Sequence, residues 1–256
     1  MSGQCRKIFL CGLIVMLAGL IFSSSALAVN PWKFPPLPPP WEYGNVLINR
    51  ISTKDGVKPV GFSHWSHRLH YTCRVCHSEL GFNMVANTTK ITEEKNLKGQ
   101  YCGACHNGKI AFASAPLTCA RCHSGTISTG KTAMTALRCL PKTKYGNKID
   151  WSYALYVGLI HPKSSLTKDY KPVTYNKKIT IESAWAGTPP AIFPHDVHND
   201  WLDCSSCHPD IFSIKKNATK HFAMKYILKG KFCGYCHLKV AFPLDDCKRC
   251  HPKMKG

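Results

Sequence analysis

Acidic side chains are scarce in this 256-residue chain: 14 Asp and Glu stand against 34 Lys and Arg, a formal net charge of +20. Such a deficit points to an anionic partner, nucleic acid among them, or to a bound group that brings its own negative charge. Long apolar runs are missing after residue 22. The nearest, residues 151–160 (WSYALYVGLI), reads as a packed strand or helix, which leaves the processed protein without a membrane-spanning segment. Nor is the composition that of a disordered or multispanning chain. What is abundant is cysteine, with 15 residues, too many for an ordinary cytosolic enzyme.

The N-terminus accounts for the compartment. Arg6 and Lys7 precede an apolar stretch at 8–22, and Ala26-Leu27-Ala28 offers a small-residue cleavage site. That order predicts a secretory signal peptide over residues 1–28. Cys11 lies inside the apolar stretch and not after it, which argues against lipid attachment. Residues 29–43 contain PPLPPP and read as an extended polyproline-type arm.

Six short motifs dominate the remainder. They are Cys73-x-x-Cys76-His77, Cys102-x-x-Cys105-His106 and Cys119-x-x-Cys122-His123, then, after a gap, Cys204-x-x-Cys207-His208, Cys233-x-x-Cys236-His237 and Cys247-x-x-Cys250-His251. C-x-x-C-H is the attachment pattern of c-type haem: the two thiols form thioethers to the vinyl groups and the next imidazole binds iron. Zinc, iron–sulfur clusters and disulfides also use cysteine pairs, but none needs a histidine after every second cysteine. With histidine at about one residue in twenty, six chance coincidences have a probability of order 10⁻⁸. Six haems bring twelve propionates, which balance much of the lysine excess and displace nucleic acid as its explanation. Cys5 and Cys11 leave with the signal peptide, so only Cys139 is unassigned, and it reads as a buried thiol.

The halves repeat at an offset of 131 residues. Phe62-Ser-His64-Trp-Ser-His67 falls on Phe193-Pro-His195-Asp-Val-His198, and Cys73 and Cys102 fall on Cys204 and Cys233; only the last interval differs, by three residues. With the stretch from Lys98 to Phe112 and its counterpart from Lys229 to Phe242, this pattern resembles the triheme c-seven-type cytochromes of the cytochrome c-three superfamily. The resemblance covers about residues 44–125 and 171–252. It implies that His64 and His67 supply sixth ligands to the haems of His77 and His106, and that His195 and His198 do so for those of His208 and His237. For the haem of His251 it points to Met224, with His221 nearby. In the first copy Glu93 stands at that position, so the haem of His123 is left with Met84, His70, His161, Met134 or no sixth ligand.

The expected fold is a mostly irregular multihaem cytochrome c fold. Each module has short helices and a small two-stranded β element, opened by residues 46–51 and 177–181, with the haems as core. The expected organisation is 1–28 signal peptide, 29–43 arm, 44–125 first triheme module, 126–170 linker and 171–256 second triheme module. The expected role is electron relay without catalysis, in the periplasm or at the outer surface. Its partners would be redox proteins, from a membrane quinol oxidase to terminal or outer-membrane cytochromes. Self-association into a filament is the alternative, and a reductase using an open first-module haem the third reading.

Overall fold

The computed structural model describes residues 34, 36–183, 187–215 and 217–254; the expected signal peptide and the start of the arm lie outside them. Among the described residues no helix is long and apolar enough to cross a membrane.

Each module opens with an antiparallel hairpin. In the first, β1 (Asn45–Ile48) pairs with β2 (Val60–Ser63), Asn45 opposite Ser63. In the second, β3 (Lys178–Ile181) pairs with β4 (Ala191–Pro194), Lys178 opposite Pro194. The second strand of each hairpin runs directly into a five-residue helix carrying the histidine doublet, α1 (His64–Arg68) and α6 (His195–Asn199). Strand and helix are thus one continuous device that aims both imidazoles. The other helices are single turns: α2 (Glu93–Leu97), α3 (Cys119–Cys122), α4 (Lys131–Thr135), α5 (Trp151–Tyr156), α7 (Met224–Ile227), α8 (Gly234–His237) and α9 (Cys247–Cys250). Helices this short have no independent stability in water, so packing must hold them.

The linker does much of that packing. Asp150 caps α5 by accepting from the Tyr153 amide, and α5 turns Trp151 and Ala154 inward. With Leu140, Ile149 and Ile160 they form a cluster against Trp65 of the first module and Trp201 of the second. The core is therefore not left to haem alone: the linker builds a side-chain core between the modules. The described end of the arm is tied to it. Tyr43 is buried, Asn147 donates to the Pro40 and Tyr43 carbonyls (2.7 and 2.5 Å), and the Trp65 indole donates to the Trp41 carbonyl (2.9 Å). Cys139, expected to be buried, is exposed, because its neighbour Leu140 takes the place in the cluster.

A polar seam also joins the modules. The Arg74 guanidinium pairs with Glu79 (2.8 Å) and with Asp203 of the second module (2.9 Å), and Ser78 donates to Asp203 (3.0 Å). Burial pushes the Asp203 carboxyl up, but hydrogen bonds from Ser205, Ser78 and the Ser206 amide, together with Arg74, outweigh it and hold the group below its usual range. We expect Asp203→Asn to cost about 2 kcal/mol in urea unfolding, because it leaves Arg74 and Ser78 short of an anionic acceptor. The same loss should appear in the wild type as pH falls through the carboxylate range, since a depressed acid stabilises only while ionised.

Candidate functional site

One helical turn is enough to assemble each C-x-x-C-H unit. In the sites ending at His106, His123, His208, His237 and His251, the histidine amide donates to the carbonyl of the first cysteine, four residues back (2.8–3.0 Å). Residues three and four apart share a helix face, so both thiols and the imidazole leave the chain on one side. None of the thirteen described cysteines is joined in a disulfide. Among the described residues no three His, Cys, Asp or Glu side chains converge as a protein-only zinc site requires.

The imidazoles share a second property. Ten of the thirteen histidines place Nδ1 on a main-chain carbonyl, at 2.7–3.2 Å. The ten are the six that close the attachment motifs and the four of the two doublets. A carbonyl only accepts, so Nδ1 must carry the proton and Nε2 presents its lone pair, the state of a metal-ligating histidine. His70, His161 and His221 make no such bond among the described residues. Burial, partly opposed by the Gly44 carbonyl and reinforced by the neighbouring His77, Arg68 and His67, lowers the His64 pKa to about 3. For His237, burial, partly opposed by the Phe242 carbonyl, lowers it to about 4. Both rings are neutral at physiological pH.

The tertiary structure brings these rings together in pairs. The centroids of His64 and His77 lie 6.4 Å apart, with planes within 4°. His67 and His106 are 6.1 Å apart, and His198 and His237 are 6.2 Å apart. Such gaps are too wide for ring stacking, but two metal–nitrogen bonds of ~2 Å plus the inner halves of the rings fill them. The donor set therefore fits a porphyrin iron bound on both faces. The fourth expected pair, His195 with His208, is not among the ring pairs of the described residues; His195 lies edge-on to Tyr175 (4.8 Å) and Phe193 (4.9 Å). The repeat slips there. The His195 Nδ1 donates to Lys177, two residues beyond the counterpart of the Gly44 used by His64.

Aromatic side chains hold the rings in place. Phe62 lies 4.8 Å from His64 and 4.4 Å from His67, and Phe193 repeats the arrangement at 4.9 and 4.3 Å. Phe112 and Phe242 pack on His106 and His237 (4.4 and 4.3 Å) and also supply the carbonyls for their Nδ1 atoms. The sequence reading had assigned these two no role; the signal was an Ala-Phe pair shortly after the same motif in both copies. Of the candidate sixth ligands, Met134 packs against the linker cluster, which accounts for it without a metal. Met224 begins α7, and Glu93 begins the equivalent α2. His123 and His251 donate to Lys58 and Pro189 (both 2.7 Å), carbonyls exactly one repeat apart.

Burial keeps the thiols protonated: Cys76, Cys233 and Cys236 are pushed up to about 12, Cys102 and Cys207 to about 11. Neutral thiols in apolar surroundings suit thioether formation better than thiolate–metal bonding. After burial, the neighbours each thiol feels trace a path between sites. Cys76 feels Cys105, and Cys102 feels Cys122; Cys236 feels Cys73 and Cys207, and Cys233 feels Cys250. The thiols of all six attachment sites are therefore linked electrostatically in one set, which crosses between modules from Cys73 to Cys236.

Residues 60–124 and 191–252 both match the family described as cytochrome c7 and related cytochrome c. The C-terminal hexaheme fragment of GSU1996 is 29% identical, over 85% of this chain and 98% of that one, with a TM-score of 0.28. The dodecaheme cytochrome c GSU1996 itself is 25% identical, over 81% and 73%, with a TM-score of 0.27. None of the curated proteins compared with the chain matches it. Two triheme modules, six c-type haems and a role in electron transfer follow from the matched segments, both of which belong to the family of cytochrome c7 and related cytochromes c.

Proposed function

We propose that the chain is an exported relay that takes electrons from the quinol-oxidising side of the inner membrane and passes them to terminal or outer-membrane cytochromes, working in the periplasm. The twelve cysteines of the six motifs hold the haems by thioether bonds. His77, His106, His123, His208, His237 and His251 would each hold one iron; His64, His67 and His198 would add a second imidazole at the sites of His77, His106 and His237, with His195 and Met224 assigned to those of His208 and His251. Each haem supplies a one-electron iron centre when bound. The protein contributes fixed imidazoles, whose Nδ1 bonds hold each ring in one orientation in either redox state. It also contributes aromatic walls that keep water from the ligands. Its excess of 34 Lys and Arg over 14 Asp and Glu steers acidic partners toward it, with an attraction that salt weakens.

The linkage of the six sites in one set supports this reading most directly, because a relay needs every centre next to another. The test is a mass spectrum of the exported protein with a redox titration of the same sample. Six added haems that titrate over a range of potentials, with negligible CO binding at four or more of them, are expected. Fewer than six haems, or stoichiometric CO binding at three or more of them, would reject the relay.

A further inference from the structure

The two copies differ where they meet. At the offset of 131 residues, Trp65 stands over Asp196 and Arg68 over Asn199. Asn199 is half-buried and donates to the nearby Tyr175 carbonyl (2.9 Å). Arg68 instead reaches into the junction. Its guanidinium carbon lies 5.2 Å from the ring centre of Trp151 in the linker and 5.8 Å from that of Trp201 in the second module. Its Nη2 donates to the Val240 carbonyl (3.1 Å), and the Val240 amide in turn donates to Cys236 (2.9 Å). On the other side, Leu69 and Cys73 pack against the same tryptophan cluster.

A guanidinium has five N–H donors and no means of losing its charge. One donor of Arg68 is satisfied by a carbonyl, and two indole faces offer only a partial counter-charge. Among the described residues no carboxylate pairs with it, and the ion pairs there form at Arg74, Lys98 and Arg249. Around it stand Tyr43 and the thiols of Cys73 and Cys236, one from each module. A cation desolvated in this way is costly unless an anion joins it. The planar fork calls for a carboxylate.

We propose that Arg68 binds a haem propionate at the module junction, from the haem attached at Cys73 and Cys76 or from the one attached at Cys233 and Cys236. This rests on the six-haem reading above. A cation there offsets negative charge beside one iron, makes its oxidised form less favourable and so raises its midpoint potential. Because the second copy carries Asn199 in this place, the repeat has one such lever, at the crossing between its halves.

The test uses the full holoprotein, with haem content checked by mass. In Arg68→Asn, which inserts the second module's own residue, the midpoint of one or two of the six haems should fall while the others and all axial spectra stay. Arg68→Lys should return most of that shift. Independently of any variant, nuclear magnetic resonance of the wild type with labelled arginine should show contacts between the Arg68 guanidinium protons and propionate methylenes. The thioether partners of that haem identify which of the two it is. Six haems with all midpoints unmoved in Arg68→Asn, or an Arg68 guanidinium without propionate contacts in the wild type, would overturn this assignment and leave the relay standing. Fewer than six haems in the wild type would remove both.

Discussion

Gly234→Ala should unload the middle site of the second module and destabilise the protein by about 3 kcal/mol or more. A methyl group on Gly234 would overlap the Ile227 carbonyl oxygen and come 3.0 Å from its carbon. These are backbone atoms that cannot rotate aside, and Ile227 is held in place because its carbonyl also accepts from the Gly230 amide (2.9 Å). The first module repeats the contact: a methyl on Gly103 would overlap the Asn96 carbonyl and stand 2.6 Å from its carbon. The helix before each middle site thus rests directly on the x-x segment of C-x-x-C. Haem counting by mass and thermal melting check the prediction. Lys248→Ala, at the same place in the third motif, is the control and should change stability by less than ~0.5 kcal/mol. Equal losses in the two variants would show that the close approach is not what matters.

Replacing His64 with Ala should open one iron. The ring of His64 faces His77 across 6.4 Å in near-parallel register, and its loss removes the shorter of the two bonds to the Gly44 carbonyl (2.8 Å), leaving only the residue-64 amide (3.2 Å). We expect one equivalent of CO to bind reduced protein where the wild type binds none at that site, with a stability cost of about 1–3 kcal/mol. His70→Ala should do neither, since His70 is exposed and presents no carbonyl-fixed ring. The pH dependence has a definite sign. His64 is held neutral with a pKa lowered from 6.5 to about 3, so the unfolded chain binds the extra proton. Its contribution is complete above pH 6.5 and is lost as pH falls toward 3. Acid unfolding of His64→Ala should lack that component; an unchanged acid limb together with no CO binding would reject His64 as a ligand.

Much of the site could be read from the chain alone. Each attachment motif is a single turn, so spacing suffices to bring two thiols and an imidazole together. The doublet histidines were legible because the repeat carries them at the same offset as the motifs. The opening strands were found as well, one at 177–181 against Lys178–Ile181 in the structure and one at 46–51 against Asn45–Ile48. Less visible were the carbonyls that set each tautomer. Lys58 serves His123 from 65 residues away, and Pro189 serves His251 from 62, and a main-chain oxygen leaves no mark on residue identity. Cys139 was misread because burial of a single residue depends on which of two neighbours faces the cluster.

By itself, then, the sequence carried the number of haems, the motifs proposed to anchor them and the use of one module twice, since these are local patterns repeated along the chain. The tertiary structure decided how the copies are joined. The junction brings Arg68 to Val240 and Arg74 to Asp203, across separations of more than a hundred residues. Residues that far apart meet only because the linker's tryptophan cluster must leave water, and no local periodicity encodes where it will close.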